Sequence, residues 1–288
     1  LPICSLEKGR TFYTSNSGLI ELRQEICKWY QRKYNVLYDY KTEALLTVGG
    51  SEGIDVALRA MLDPGDEVII PEPCYVSYVP CVQLIGAVPV TIELKNENQF
   101  RLTPEELLAA ITDKTKILIL AFPSNPTGAV MTKEDLEPIA KICQEKDIYV
   151  ISDEIYSELT YGGQKHCSIS SLPGMKERTI VINGFSKAYA MTGWRLGYAL
   201  APEVIAHQMT KIHQFAIMCA PTTSQYAAIE AIKNGDADIE KMCKSYDQRR
   251  RFLLKKFEEI GLPCFEPHGA FYVFPCIKEF GITSDEFA

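Results

Sequence analysis

Thr179-Ile180-Val181-Ile182-Asn183-Gly184-Phe185-Ser186-Lys187-Ala188-Tyr189-Ala190-Met191-Thr192-Gly193-Trp194-Arg195 is the stretch on which the reading of the whole chain turns. Thr179 to Ile182 is an apolar, β-branched run with the length of a buried strand, and Asn183-Gly184 turns the chain out of it. A lysine just past the end of such a strand stands over a cleft. Part-buried there beside other cations, Lys187 would lose its proton readily and act as a nucleophile toward an aldehyde. Ser186 and Arg195 flank it with a hydroxyl and a permanent cation, a pair suited to a phosphate. The same residues taken alone also fit a solvated loop with a surface lysine, so the surrounding chain has to decide.

The totals narrow the field. A chain of 288 residues with 47% hydrophobic content buries one large core, or a core plus a smaller lobe, and is not disordered. Its formal charge of −7 argues against a nucleic-acid or anionic-membrane surface. No run reaches membrane-spanning length and no secretory signal is visible, while the missing initial methionine suggests a cropped chain. Ten scattered cysteines with no CxxC pair read as reduced thiols of a cytoplasmic protein.

Outward from the central stretch, apolar runs alternate with helical patterns. Leu19 to Tyr34 has helical spacing, as do Ile54 to Met61, Thr103 to Ile111 and Thr132 to Lys146, the last two opened by caps at Thr103 and Thr132. Leu45 to Val48, Glu67 to Pro71, Val88 to Leu94, Lys116 to Phe122 and Ile148 to Ser152 read as strands. Continuous apolar strands between helices predict a mostly parallel sheet covered on both faces, with ligands gathered at the carboxyl ends of the strands. Asp236 to Glu259 reads as one long charged helix with Arg249-Arg250-Arg251 as a solvated face, leading to a second lobe in which Gly269 to Phe274 is a strand.

Several strand ends carry chemistry. Leu45 to Val48 runs into Gly49-Gly50-Ser51-Glu52-Gly53, either a phosphate cradle or only a tight connection; its spacing matches neither a P-loop nor GxGxxG. Tyr75, near the exit of the strand ending at Pro71, either stacks on a planar ligand or closes the edge of the core. Pro123-Ser124-Asn125-Pro126-Thr127-Gly128 presents an asparagine amide, and Asp153-Glu154-Ile155-Tyr156 presents a carboxylate and a phenol.

With Ser186-Lys187-x-x-x-Met191-Thr192-Gly193-Trp194-Arg195-Leu196-Gly197, Asn125-Pro126-Thr127-Gly128 and Ser152-Asp153-Glu154-Ile155-Tyr156 in view, the chain resembles the class I pyridoxal-phosphate aminotransferases of the aspartate aminotransferase fold over nearly all its length. It is most similar to the branch that holds archaeal aromatic and bacterial aspartate and acetyl-diaminopimelate aminotransferases. The resemblance implies an α/β fold: a mostly parallel seven-stranded sheet sandwiched by helices at 11–240, and an incomplete α+β small domain at 241–288 with 1–10. It implies a cytoplasmic homodimer that transfers an amino group between an L-amino acid and a 2-oxo acid by a ping-pong mechanism.

Carried over residue by residue, the resemblance makes Lys187 the covalent anchor of pyridoxal 5'-phosphate and the carrier of the substrate's proton. Asp153 would pair with the pyridine nitrogen, Asn125 and Tyr156 with the phenolic oxygen, and Tyr75 would stack on the ring. Ser51, Ser186 and Arg195, with backbone N–H groups of Gly50 to Glu52, would hold the phosphate, reached also by Tyr13 from the partner subunit. The family's carboxylate-gripping arginine lies in a C-terminal region beyond residue 288, which points to slow turnover by these residues alone unless Arg10 or Arg101 takes that place. A carbon–sulfur β-lyase and a non-catalytic pyridoxal-phosphate-binding effector module share the fold. The Met191-to-Arg195 continuation favours the transaminase over the first, and no N-terminal helix-turn-helix supports the second.

Overall fold

A computed structural model describes residues 2–287; Leu1 and Ala288, the ends of the ranges expected for the small domain, lie outside the described residues. The strands are β1 (Ala44–Thr47), β2 (Glu67–Glu72), β3 (Val88–Glu93), β4 (Thr115–Ala121), β5 (Tyr149–Asp153), β6 (Thr179–Gly184), β7 (Gly197–Leu200), β8 (Cys264–Phe265) and β9 (Phe274–Pro275). The helices are α1 (Pro2–Glu7), α2 (Ile20–Tyr34), α3 (Gly49–Met61), α4 (Tyr78–Leu84), α5 (Pro104–Ala110), α6 (Lys133–Glu145), α7 (Glu203–Ala216), α8 (Thr222–Asn234), α9 (Asp236–Glu259) and α10 (Ser284–Phe287). Thr103 and Thr132 close the expected capping boxes, each accepting from the backbone N–H three residues on.

β1 to β7 form one seven-stranded sheet in the order β1-β7-β6-β5-β4-β2-β3. The pairs from β3 to β6 are parallel, whereas β7 runs antiparallel to both β6 and β1. Helices cover both faces of the inner strands, whose side chains alternate between them, so those strands are apolar along most of their length while the edge strand β3 is largely exposed. On β6, Ile180 and Ile182 join Ile54, Ala57 and Met209 from α3 and α7, while Val181 joins Leu22, Ile26 and Ala228 from α2 and α8. Leu107, Leu136 and Ile139 of α5 and α6 cover Leu118, Leu120 and Val150 on β4 and β5. Each of these buried Leu, Ile, Val and Met side chains contributes about 1.5–3 kcal/mol.

Register sets the site. Ala121 pairs with Asp153 and Asp153 with Ile182, so β4 and β5 end level and β6 runs two residues further along the same edge. Gly184 and Thr47 both pair with Gly197, which brings the exit of β1 and the entry of β7 to the same edge. A small second sheet pairs β8 with β9.

Four expectations are corrected. Helix α3 begins at Gly49 and not at Ile54, so the glycine run is its first turns. β6 continues through Asn183-Gly184 before the chain turns. The strand expected over Gly269 to Phe274 is an isolated bridge at Gly269, a turn at Ala270, whose φ is 56°, and only then β9. Arg250 is buried on α9 and not solvated, because its guanidinium meets Asp247, Glu266 and the carbonyl of Pro267.

Candidate active site

The connection from β6 to β7 leaves and re-enters neighbouring strands, so residues 185–196 form a short excursion fixed at both ends. Met191 N–H donates to Phe185 O and Phe185 N–H to Leu196 O, closing the loop on itself. Phe185 is fully buried and anchors it, leaving Ser186 and Lys187 half-exposed on its cleft side. Lys187 Nζ lies 5.5 Å from the centroid of the Tyr156 ring and 5.1 Å from that of Phe271.

Around Lys187 opens a cleft lined by Gly50, Ser51, Tyr75, Asn125, Asp153 and Tyr156, and by Ser186 and Arg195. Nine of the eleven residues expected at the site therefore meet in one place. The other two do not line the cleft. Tyr13 is 77% exposed on the outside of the chain. Glu52 turns its carboxylate away, accepting from the N–H of Val48 and meeting His213 Nδ1 at 2.6 Å. Of the substitute arginines, Arg10 stacks on Tyr226 and Arg101 is held by Val130 O and Asp135, so neither faces the cleft.

At the tip of β5 two adjacent carboxylates part company. Glu154 is fully buried and accepts from Tyr30 at 3.0 Å, Ser152 at 3.0 Å and Ser168 at 2.5 Å. Asp153 faces the cleft, with Tyr78 Oη donating to Oδ2 at 2.8 Å and Ile155 N–H to Oδ1 at 3.1 Å. Burial pushes the Asp153 pKa up, and Glu154 adds to the rise; the donors Tyr78 and Ile155 and the charge of Lys187 pull it back. Burial likewise pushes Tyr156 up, helped by its contact with Tyr272, so its phenol keeps its proton. The Ser77 and Ser51 hydroxyls, with Lys187 beyond them, hold Tyr75 below the ordinary phenol value.

The cradle is built by close approach. A Cβ at Gly197 would fall 2.6 Å from Gly49 C and 2.7 Å from Gly50 N, and one at Gly49 2.6 Å from Arg195 Nη2. Only glycine lets β7, the start of α3 and the guanidinium come together. Gly50 N–H and its neighbours open α3 and carry the positive end of its dipole, and Arg195, Ser51 and Ser186 surround the same spot. The arrangement can hold an anion, with the Lys187 amine and the buried Asp153 carboxylate beyond it.

Two tyrosines that line the cleft escaped the sequence reading. Tyr78, which holds Asp153, sits three positions after Tyr75, and that spacing was the available signal. Tyr272 was hidden inside the expected strand; its hydroxyl meets that of Tyr156 at 2.7 Å.

The model of the family "Aminotransferase class I and II" matches residues 5–287. An aspartate aminotransferase of Pyrococcus abyssi is 46% identical over 286 residues, 99% of this chain and 74% of that protein. Aromatic-amino-acid aminotransferase 2 of Thermococcus litoralis is 44% identical with the same coverage, 99% and 74%. The crystal structure of an aromatic aminotransferase from Pyrococcus horikoshii superposes with a TM-score of 0.97 at 45% identity, covering 99% of this chain and 77% of that one.

Proposed function

Since the chain belongs to the class I and II aminotransferases, pyridoxal-phosphate-dependent enzymes that move an amino group between an amino acid and a 2-oxo acid, we propose that the cleft around Lys187 is its transamination site. The observation that carries this is the meeting of Lys187, Asp153, Asn125, Tyr156 and the Ser51–Ser186–Arg195 cradle on one sheet edge. The donor set fits the cofactor group by group. Arg195, Ser51, Ser186 and the N–H groups from Gly50 would hold the phosphate, and the glycine contacts keep that cradle open. Asp153 would pair with a protonated ring nitrogen, which relieves the cost of its own burial. Asn125 and Tyr156 would donate to the phenolic oxygen, and Tyr75 would lie against the ring.

Bound pyridoxal phosphate supplies an electron sink for the pair of electrons left at the substrate α-carbon. The protein does the rest. Lys187 would hold the aldehyde carbon and, as a free amine, would take and return the substrate's α-proton. Tyr78 and the Ile155 N–H keep Asp153 aimed into the cleft through both halves of the exchange. Adding pyridoxal phosphate to the purified protein, reducing with borohydride and mapping the peptides should put the pyridoxyl mass on Lys187. A label on another lysine would remove the assignment.

The homodimer belongs to the same reading. Phe12 and Tyr13 are exposed beside Phe215, Ile217 and Met218, and the two segments are joined by Thr222 Oγ1 to Phe12 O and Asn16 Nδ2 to Met218 O. Exposed apolar side chains gathered by these bonds suit a two-fold interface, and from it Tyr13 would reach the partner's phosphate. Light scattering should give twice the chain mass, and Tyr13→Phe should weaken cofactor retention about fivefold, one hydrogen bond's worth, without unfolding. A monomer, or unchanged retention, counts against the shared site.

The large domain spans 11–240. A separate β8–β9 sheet supports 241–288 as a second unit, whereas α1 packs on α8 and ties residues 2–7 to the first. No helix among the described residues is long and apolar enough to cross a membrane. All ten cysteines are unpaired, which supports a reducing cytoplasm.

A further inference from the structure

Tyr272 reaches the cleft on a segment that has no neighbour in sequence there. Backbone bonds hold that segment on both flanks. The N–H groups of His268 and Gly269 both donate to Gly128 O, at 3.0 and 2.9 Å. On the other side Ala270 N–H donates to Leu159 O at 2.9 Å and Tyr161 N–H to His268 O at 2.8 Å, while Tyr161 Oη donates to Ala270 O at 2.5 Å. The fit is tight: a Cβ at Gly128 would fall 2.3 Å from Pro267, and one at Gly269 2.4 Å from Pro123. Residues 267–270 are thus clamped between the loop that carries Asn125 and the loop that follows Tyr156. The left-handed turn at Ala270 then sends Phe271 and Tyr272 toward the cleft.

There the Tyr272 hydroxyl stands 2.7 Å from Tyr156 Oη, with the two rings edge to face at 75°. Lys187, Asp153 and Tyr75 are the other titratable groups around Tyr156. A protonated phenol has one O–H to give and lone pairs to receive with. Either phenol can donate to the other, and the choice decides whether the Tyr156 proton is spent on Tyr272 or left for the cleft.

We infer that Tyr272 is a positioning residue for transamination: its hydroxyl donates to Tyr156 Oη and leaves the Tyr156 O–H for the phenolic oxygen of bound pyridoxal phosphate. This rests on the role proposed above for Tyr156. An anionic oxygen in the cleft is a stronger acceptor than a neutral phenol, so Tyr156 turns its proton there. Tyr272 then fills the vacated lone pair, and a donor whose own oxygen is hydrogen-bonded is polarised and donates more strongly. The proton affinity of the bound cofactor is in this way tuned by a side chain that the C-terminal segment brings in.

The test is the pH midpoint of the bound cofactor's visible absorbance change, measured for the parent, Tyr156→Phe, Tyr272→Phe and the double variant. Equal melting temperatures establish that all four are folded, and Phe keeps the ring contacts. Tyr156→Phe should raise the midpoint most, Tyr272→Phe by about 0.5–1 pH unit, the worth of one hydrogen bond. The double variant should match Tyr156→Phe alone, since Tyr272 acts only through Tyr156. An unchanged or lowered midpoint in Tyr272→Phe, with Tyr156→Phe raised, overturns the role of Tyr272 and leaves that of Tyr156 standing. No rise in Tyr156→Phe with cofactor bound overturns both. Additive shifts overturn action through Tyr156.

Discussion

Lys187→Ala should lower the rate of transamination by at least about 10⁴-fold, because it removes the proposed covalent anchor and proton carrier in one step. Lys187→Arg should do nearly as much harm although it keeps the charge, since a guanidinium stays protonated at any working pH and cannot accept the α-proton. Neither change should unfold the protein. The lysine is half-exposed above the Tyr156 and Phe271 rings, and its side chain carries none of the loop's own bonds, which run through the backbone, Ala190 N–H to Lys187 O among them. Turnover with an amino donor and a 2-oxo acid, set beside thermal melts of the parent and both variants, checks this. A loss smaller than tenfold would mean that another amine serves the cleft.

Asp153→Asn should separate stability from activity. Removing the carboxylate would delete the proposed charge pair with the ring nitrogen, and an interaction of that kind is worth about 2–5 kcal/mol, or about 30- to several thousand-fold in rate. The cofactor-free protein should respond in the opposite sense. Burial raises the folded-state pKa of Asp153. A carboxyl raised in this way contributes stability that is complete below its unfolded pKa of about 4 and is lost as pH rises through the folded value. Asparagine carries no charge to bury, and Tyr78 can reverse its hydroxyl to meet an amide. At pH 7 the cofactor-free variant should therefore melt no lower than the parent, with any advantage shrinking toward pH 4. A marked fall in melting temperature at pH 7 would show that the Tyr78 and Ile155 bonds outweigh the desolvation.

What could be read from the residues depended on how local the signal was. The capping boxes at Thr103 and Thr132 fixed two helices because each is settled within four residues. α7 and α8 went unread: their N-caps, Pro202 and Pro221, offer no side-chain cap, and their helicity is supported by packing on distant strands. β7 was missed because a four-residue strand beginning at a glycine has no period of its own; only pairing with Thr47 and Gly184 defines it. The glycines from Gly49 to Gly53 suggested a turn, since glycine weakens a helix. They sit in α3 because a Cβ at Gly53 would lie 3.2 Å from Ile182, so it is the approach of helix to sheet that calls for them. The site residues on strand ends were legible as a set, Asp153 and Asn125 among them, because parallel strands bring their ends to one edge. Tyr272 had no such signal, since its place depends on bonds to Gly128 and Leu159 that no local pattern encodes.

The pairing of Thr47 with Gly197 also bears on how the enzyme is made. One half of the proposed phosphate cradle is residues 49–51 and the other lies within residues 186–197, so an emerging chain has no cradle until β7 has left the ribosome and slid in beside β1. Contacts of such sequence separation form slowly and late. The cofactor therefore cannot act as a template for the first steps of folding; it stabilises only states in which both halves have met. Its kinetic effect falls on the way out, as slower unfolding of the finished sheet, and a cell short of the cofactor would lose this enzyme through faster opening and not through failure to fold.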